Sequence, residues 1–339
     1  MEPIKSLDAA TLLCLPLEKP PFIVEGLIPN GLSLFCGAQK TGKSWLMLDL
    51  CLSVAAGGSF WGIPVVKRDV LYLCLEDIYS RIQERLFRLT DEAPSDLRFA
   101  IGSCTLEDGL VDSLEEYLKA FPGTGLIVID TLQKVRAVSK DSTYASDYGD
   151  ISKLKDFADR HEIAVIAVHH IRKQHDEDIF NMISGTMGLT GSADSSFVLD
   201  RDSRDSDTAK LYVIGRDIEY QELTLNFHNG RWTLLERKGP EDLRRESVPP
   251  VLERVLCFLS GTTDWRGTAT ELIEQMGETE VQANVITKLL NEYRSFLREN
   301  GIEYGYRRTS ESRQIVLTRN DSNDGCDGFI GTGEAVIRQ

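Results

Sequence analysis

One short segment of the sequence has residue types and a spacing that bind phosphate. Residues 37–44 read GAQKTGKS, so four residues separate Gly37 from Gly42, and Lys43 and Ser44 follow. Glycines let successive backbone N–H groups surround an anion, the lysine supplies charge for the outer phosphates, and the serine hydroxyl can bind Mg²⁺. The strand-like GLSLF before the segment and the helical SWLMLDLCLSVAA after it complete the pattern of a phosphate-binding P-loop.

This loop is predicted to bind ATP. The predicted nucleotide contacts are Gly37, Ala38, Gln39, Lys40, Thr41, Gly42, Lys43, Ser44 and Trp45. Hydrolysis also requires a carboxylate for Mg²⁺, and Asp130 supplies one at the end of the apolar run GLIVID. Ser44 and Asp130 are therefore the predicted metal-binding residues.

The catalytic base is expected on a neighbouring strand, because the residue after Asp130 is threonine and not glutamate. The run LYLCLED places Glu76 at a strand end, and in open α/β sheets ligands bind beyond the carboxyl ends of the strands. We predict that Glu76 polarises the attacking water, with Asp77 as the alternative. The run AVIAVHH brings His169 and His170 to the same edge, where a histidine can sense the terminal phosphate; His170 is the preferred candidate.

These residues require a sheet that positions them. From residue 31 to 236, apolar strands alternate with helical segments, which predicts an α/β fold with a mostly parallel sheet. Asn229 and Gly230 lie between two alternating runs and predict a hairpin at the sheet edge. The Gly-, Ser- and Thr-rich stretch 181–196 is expected to be a long loop that signals to a polymer.

The segments that flank this core have their own patterns. Residues 1–30 are a proline-punctuated lead-in that is expected to pack beside the first strand, and the charged stretch 237–250 is expected to be a linker. Residues 251–319 predict three helices and a small hairpin, the layout of a winged helix. Residues 320–339 are polar and glycine-rich, which indicates disorder.

Composition limits the functional classes. The 339 residues are 42% hydrophobic and 27% charged, with no apolar run of membrane-spanning length and no secretory signal pattern, so a cytoplasmic protein is expected. The seven cysteines are scattered singly and favour neither a disulfide framework nor a zinc site. A formal charge of −15 means that nucleic acid would be bound by local basic patches. One such patch lies between residues 283 and 319, where seven basic residues face four acidic ones.

Taken together, the P-loop, the glutamate of LYLCLED, the aspartate of LIVID and the strand ending in two histidines resemble RecA-fold ATPases, in particular plasmid RepA-type hexameric helicases and related ATPases of mobile elements. The resemblance covers residues 15–235. It implies a ring, usually of six subunits, with ATP between subunits and single-stranded DNA through a central channel. It also implies that Lys43 and Ser44 bind phosphate and Mg²⁺, Glu76 activates water and His170 senses phosphate. Arg85 occupies the place of an arginine that lies against the nucleotide.

The sequence departs from this pattern at the residue that acts across subunits. Where RepA-type helicases have an arginine finger, the nearest alignment places Phe197, which leaves Arg216 as the preferred candidate and Arg201 as its competitor. The C-terminal winged helix is also absent from the minimal helicase. It is expected to contact duplex DNA or a replication protein.

Three functions fit these features. The preferred one is a DNA-stimulated ATPase that acts as a replicative helicase of a plasmid or mobile element. A RecA/RadA-like recombination ATPase is the second, and an ATP-switched, DNA-binding replication initiator or regulator is the third.

Overall fold

A computed structural model gives the fold of two separate parts of the chain. It describes residues 6–17, 20–136, 144–172, 176–183, 187–201, 203, 205–261, 264–279, 281–308 and 313–319. The chain divides into two compact units, Met1–Pro240 and Glu241–Gln339. The predicted disordered tail lies outside the described residues.

The first unit contains thirteen strands within the described part of the chain. They are β1 (Phe22–Val24), β2 (Ile28–Pro29), β3 (Gly31–Gly37), β4 (Gly58–Phe60), β5 (Ile63–Val65), β6 (Asp69–Cys74), β7 (Leu97–Ala100), β8 (Thr124–Asp130), β9 (Ala164–His170), β10 (Ser195–Asp200), β11 (Thr208–Gly215), β12 (Gln221–His228) and β13 (Arg231–Lys238).

Nine of these strands form the main sheet, in the order β13-β12-β11-β10-β3-β9-β8-β6-β7. The six strands from β10 to β7 are parallel, and β11, β12 and β13 continue the sheet antiparallel from β10. The mostly parallel α/β sheet is therefore confirmed. The predicted hairpin is also present, because Asn229 and Gly230 both adopt positive φ between β12 and the edge strand β13.

Helices cover both faces of the main sheet. They are α1 (Ala9–Cys14), α2 (Lys43–Ala56), α3 (Tyr79–Leu89), α4 (Leu110–Ala120), α5 (Leu132–Val135), α6 (Tyr144–His161) and α7 (Met187–Ser192). The apolar side chains of α2 fill one core, which includes Phe35 of β3, whereas α4 and α6 fill the other with Leu34. Because adjacent strand residues face opposite sides, the continuous apolar run of β3 supplies both cores.

Two local expectations are wrong. Stretch 181–196 is not one long loop: a 3₁₀ turn (Ile179–Met182), α7 and the start of β10 occupy its described residues, because Leu189 is fully buried in the core. The lead-in forms α1, whose side chains are exposed, so this part does not pack beside the first strand. Its later residues form β1 and β2, which join β4 and β5 in a small sheet.

The second unit contains helices around a small sheet. Its helices are α8 (Pro240–Ser247), α9 (Pro250–Leu259), α10 (Ala269–Met276), α11 (Ala283–Glu292) and α12 (Arg294–Glu299); its strands are β14 (Asp264–Gly267), β15 (Ile302–Arg308) and β16 (Arg313–Arg319), in the order β14-β16-β15.

The segment predicted as a linker contains α8, a helix with proline in its first turn, acidic residues next and arginines in its last turn. This charge order favours a helix, so the linker prediction is wrong for these residues. The predicted third helix divides at Tyr293 into α11 and α12. Throughout the described residues, no helix is both long and apolar enough to cross a membrane.

Candidate active site at the carboxyl edge of the sheet

Most of the predicted site residues line one cavity at the carboxyl ends of β3, β6, β8 and β9. Its volume is about 600 Å³. It is lined by Gln39, Lys40, Thr41, Gly42, Lys43, Ser44, Trp45, Glu76, Arg85, Asp130, Thr131, His170, Arg201 and Phe227. The parallel order of the strands explains this grouping, because residues far apart in the chain reach the same edge.

The P-loop wraps closely around the Lys43 side chain, of which 6% is exposed. The ammonium group donates to the carbonyl oxygens of Gly37 (2.9 Å) and Ala38 (2.7 Å). Burial lowers the pKa of Lys43, and the negative charge of Asp130 opposes that shift. Gly37 is required sterically, because a Cβ atom there would lie 2.7 Å from the carbonyl oxygen of Leu199.

Asp130 lies beside Ser44 with its carboxylate almost buried. The Tyr72 hydroxyl donates to its Oδ2 atom (2.9 Å), and the Ser44 hydroxyl is a second hydrogen-bond partner. Burial raises the pKa of Asp130, while these hydrogen bonds and the charge of Lys43 act against the rise. One carboxylate and one hydroxyl fit Mg²⁺, which is usually held by few protein ligands together with water and phosphate oxygens. Among the described residues, no three His, Cys, Asp or Glu side chains form another metal-binding group.

Glu76 lies two residues beyond the end of β6, and a neighbour orients its carboxylate. The Thr131 hydroxyl donates to Glu76 Oε1 (3.1 Å). Thr131 is buried at the end of β8, directly after Asp130. The residue that replaces the expected glutamate after Asp130 therefore holds the glutamate of the next strand.

The two histidines at the end of β9 have different surroundings. His169 is buried, whereas His170 lines the cavity. Atom Nδ1 of His170 is buried and has no hydrogen-bond partner in the part of the chain that the structure describes. This geometry favours His170 over His169 as the group that meets a ligand.

One side of the cavity is aromatic and cationic. The guanidinium of Arg201 lies 5.6 Å from the ring centre of Phe227 and 5.4 Å from that of Trp232, and that of Arg85 lies 5.5 Å from Trp45. Such flat groups can stack on a nucleobase. The position of Arg201 follows from β10, which is parallel to β3 and ends at the same edge. Arg201 therefore borders the P-loop cavity of its own chain.

The β12–β13 hairpin also supports the P-loop from the outside. The indole N–H of Trp232, which is 1% exposed, donates to the carbonyl oxygen of Gly42 (3.2 Å). Gly230 packs so closely on Trp45 that a Cβ atom there would lie 2.5 Å from the ring. Sequence reasoning identified the hairpin but missed Phe227 and Trp232; the one available signal was two aromatic residues beside the turn.

Arg216 lies at the opposite edge of the sheet. It follows β11, which is antiparallel to β10, and Gly215 pairs with Ser195 at the start of that strand. The Arg216 side chain contacts Asp194 Oδ1 (3.5 Å) and the carbonyl oxygen of Gly191 (3.4 Å). It is thus the one predicted site residue that does not reach the cavity of its own chain, and its role across subunits stays a prediction.

Comparisons with known proteins agree with this fold. Residues 2–176, more than half of the chain, match the family profile described as AAA domain. Among solved structures 294 chains match, including the ATPase domain of a replicative helicase, with a TM-score of 0.51 and 16% sequence identity. That match covers 61% of this chain and 85% of the helicase domain. No curated protein sequence matches the chain significantly.

Proposed function

From a chain that belongs to the AAA domain family and has a P-loop ATPase core resembling those of replicative helicases, we propose a cytoplasmic, DNA-stimulated ATPase that moves on single-stranded DNA. In this proposal the chain is a RepA- or DnaB-like motor in plasmid or mobile-element replication. It assembles as a hexameric ring with the DNA strand in its centre.

The observation that carries the proposal is the convergence of Lys43, Asp130, Glu76 and His170 on one cavity. These side chains come from the ends of four neighbouring strands, and each has a separate chemical capacity. Lys43 supplies positive charge, Glu76 can accept a proton from water, and His170 can donate a hydrogen bond to the terminal phosphate. Mg²⁺ bound by Ser44 and Asp130 would neutralise charge on the phosphates.

Within this site Thr131 and Arg85 support the chemistry. Thr131 keeps Glu76 pointed into the cavity, so that the carboxylate needs little reorganisation to polarise a water molecule. Arg85 faces the phosphate loop from α3 and is proposed to bind nucleotide phosphate.

ATPase assays with and without single-stranded DNA, combined with native mass measurement, test this proposal. Lys43→Ala should abolish tight ATP binding, whereas Glu76→Gln should retain binding and lose roughly 100- to 10,000-fold in turnover. Near wild-type turnover in Glu76→Gln would show that another group is the base. Absence of any stimulation by single-stranded DNA would contradict the motor function.

Arg216 is proposed to act on the ATP of the adjacent subunit, since it lies away from the cavity of its own chain. An arginine that acts in trans accelerates phosphoryl transfer by roughly 1,000- to 100,000-fold. Mixing inactive Arg216→Ala and Lys43→Ala subunits should restore ATPase activity, because some interfaces then combine an intact P-loop with an intact arginine. Assembly of mixed rings without activity, or full activity of Arg216→Ala alone, would assign the role elsewhere.

The second unit is proposed to bind duplex DNA as a winged helix. A groove of about 570 Å³ between α11 and the β15–β16 hairpin is lined by neutral polar side chains, including Asn284, Asn291, Tyr306 and Gln314. Amide groups of this kind read base edges, and exposed Arg307 lies on the neighbouring hairpin. Contact with a replication protein is the alternative.

A binding assay on duplex DNA tests this partner. Replacing Arg307 and Arg308 with alanine should weaken binding and lower the salt slope by roughly one for each lost phosphate contact. An unchanged slope would remove DNA as the partner of this unit. Duplex binding that persists in Lys43→Ala would favour the initiator function, and strand-pairing activity without strand displacement would favour the recombination ATPase.

A further inference from the structure

Asp77 is committed to partners of its own although it follows the proposed base directly in sequence. Its Oδ1 atom accepts hydrogen bonds from Arg81 (2.8 Å) and from the backbone N–H of Ile78 (3.0 Å). Its Oδ2 atom accepts from Arg85 (2.6 Å). Both carboxylate oxygens therefore bind donors, and Asp77 is poorly placed to take a proton from water.

The two arginines that share Asp77 differ in what they reach. Arg85 lines the nucleotide cavity, with 22% of its side chain exposed, and its guanidinium lies over the ring of Trp45. Arg81 is 52% exposed and borders only a smaller neighbouring cavity of about 170 Å³. The spacing of four and eight residues after Asp77 places both arginines on one side of α3.

We propose that Asp77 is a positioning residue that, with Trp45, holds Arg85 ready for nucleotide phosphate. The inference rests on the proposed ATPase function and adds a residue through which Arg85 acts. A guanidinium has five N–H donors, so Arg85 can keep its bond to Asp77 and still donate to a phosphate oxygen. A side chain held on two sides loses less conformational freedom when the nucleotide binds.

Nucleotide binding to the full chain tests this role, with a fluorescent ATP analogue as the probe. Asp77→Asn should raise the Kd for the analogue roughly 10- to 100-fold, the range expected when a charge-assisted hydrogen bond loses its partner. Turnover at saturating ATP should change by less than about 3-fold, because Glu76 and Thr131 remain in place. Asp77→Glu should recover part of the affinity.

A double-mutant cycle separates positioning from a structural effect. If Asp77 acts through Arg85, Asp77→Asn should weaken binding no further in a chain that already carries Arg85→Ala. Arg81→Ala is the matched control, because it removes a bond to the same carboxylate from an arginine that does not line the nucleotide cavity. It should leave the Kd within about 3-fold of wild type.

Three results would overturn the inference. A loss of turnover of roughly 100-fold or more in Asp77→Asn with unchanged Kd would make Asp77 the base. Equal weakening by Asp77→Asn with and without Arg85 would show that Asp77 acts by another route. Wild-type affinity in Asp77→Asn would show that Arg85 needs no positioning, whereas a wild-type chain that binds no analogue would remove the proposed ATPase function as well.

Discussion

The contact between Trp232 and the P-loop predicts that a residue on the edge strand of the sheet controls nucleotide affinity. Trp232→Phe keeps an aromatic ring but loses the hydrogen bond from the indole N–H to Gly42, which contributes roughly 0.5–1.5 kcal/mol. The smaller ring also leaves space in a site that is 1% exposed, at a cost of about 1 kcal/mol. A total of about 2 kcal/mol corresponds to a Tm that is lower by roughly 4–8 °C.

The same substitution should weaken ATP binding by roughly 3- to 10-fold, because one lost neutral hydrogen bond no longer fixes the loop that surrounds the phosphates. Thermal unfolding followed by circular dichroism and titration with a fluorescent ATP analogue measure the two effects. Trp61→Phe is a matched control, since Trp61 donates to the carbonyl oxygen of Trp232 (2.8 Å) and does not line the cavity. If both variants bind the analogue equally well, the hairpin does not support the loop.

Three further outcomes follow from the site. Thr131→Val should lower turnover about 10-fold with little change in KM, because only the orientation of Glu76 is lost; equal turnover in a steady-state assay would contradict this. Burial raises the pKa of Asp130, so its ionised form costs stability at pH 7, and that cost disappears as the pH falls through the raised pKa toward the ordinary value of 3.8. Asp130→Asn should therefore have a higher Tm than wild type at pH 7, a gain that shrinks toward pH 4, and no Mg²⁺-dependent hydrolysis; an equal or lower Tm at pH 7 would refute the sign. Burial also raises the pKa of Cys36 to about 12, so alkylation of the native protein at pH 8 should modify exposed Cys14 and spare Cys36, as peptide mass spectrometry would show.

The parallel part of the fold could be predicted because each of its strands is an apolar run between turn signals. Once those runs are assigned to one sheet, the general rule for ligand sites in α/β sheets brings the P-loop, Asp130 and His170 to one edge. The rule also placed Glu76 correctly, although β6 ends two residues earlier than the apolar run suggests.

The antiparallel strands were harder to use, since their periodicity gives the hairpin and not the side chains that it brings to the P-loop. Trp232 is four strands away from β3 in the sheet order and still contacts Gly42. Contacts of this kind depend on sheet curvature and on the packing of β13 against α2, which no local pattern reports. The pairing of Asp77 with Arg81 and Arg85 could have been read from helical spacing alone.

The central position of β3 determines when a growing chain can first bind nucleotide. Its last residue, Gly37, pairs with His170 on one side and with Leu199 on the other, so the P-loop strand is completed by partners made much later. At ribosomal rates of roughly 5–20 residues per second, residue 199 follows residue 37 by on the order of ten to thirty seconds. Throughout that interval the segment GAQKTGKS exists without the sheet that shapes it, and the nascent chain acquires affinity for ATP only after β10 has left the ribosome and joined the sheet.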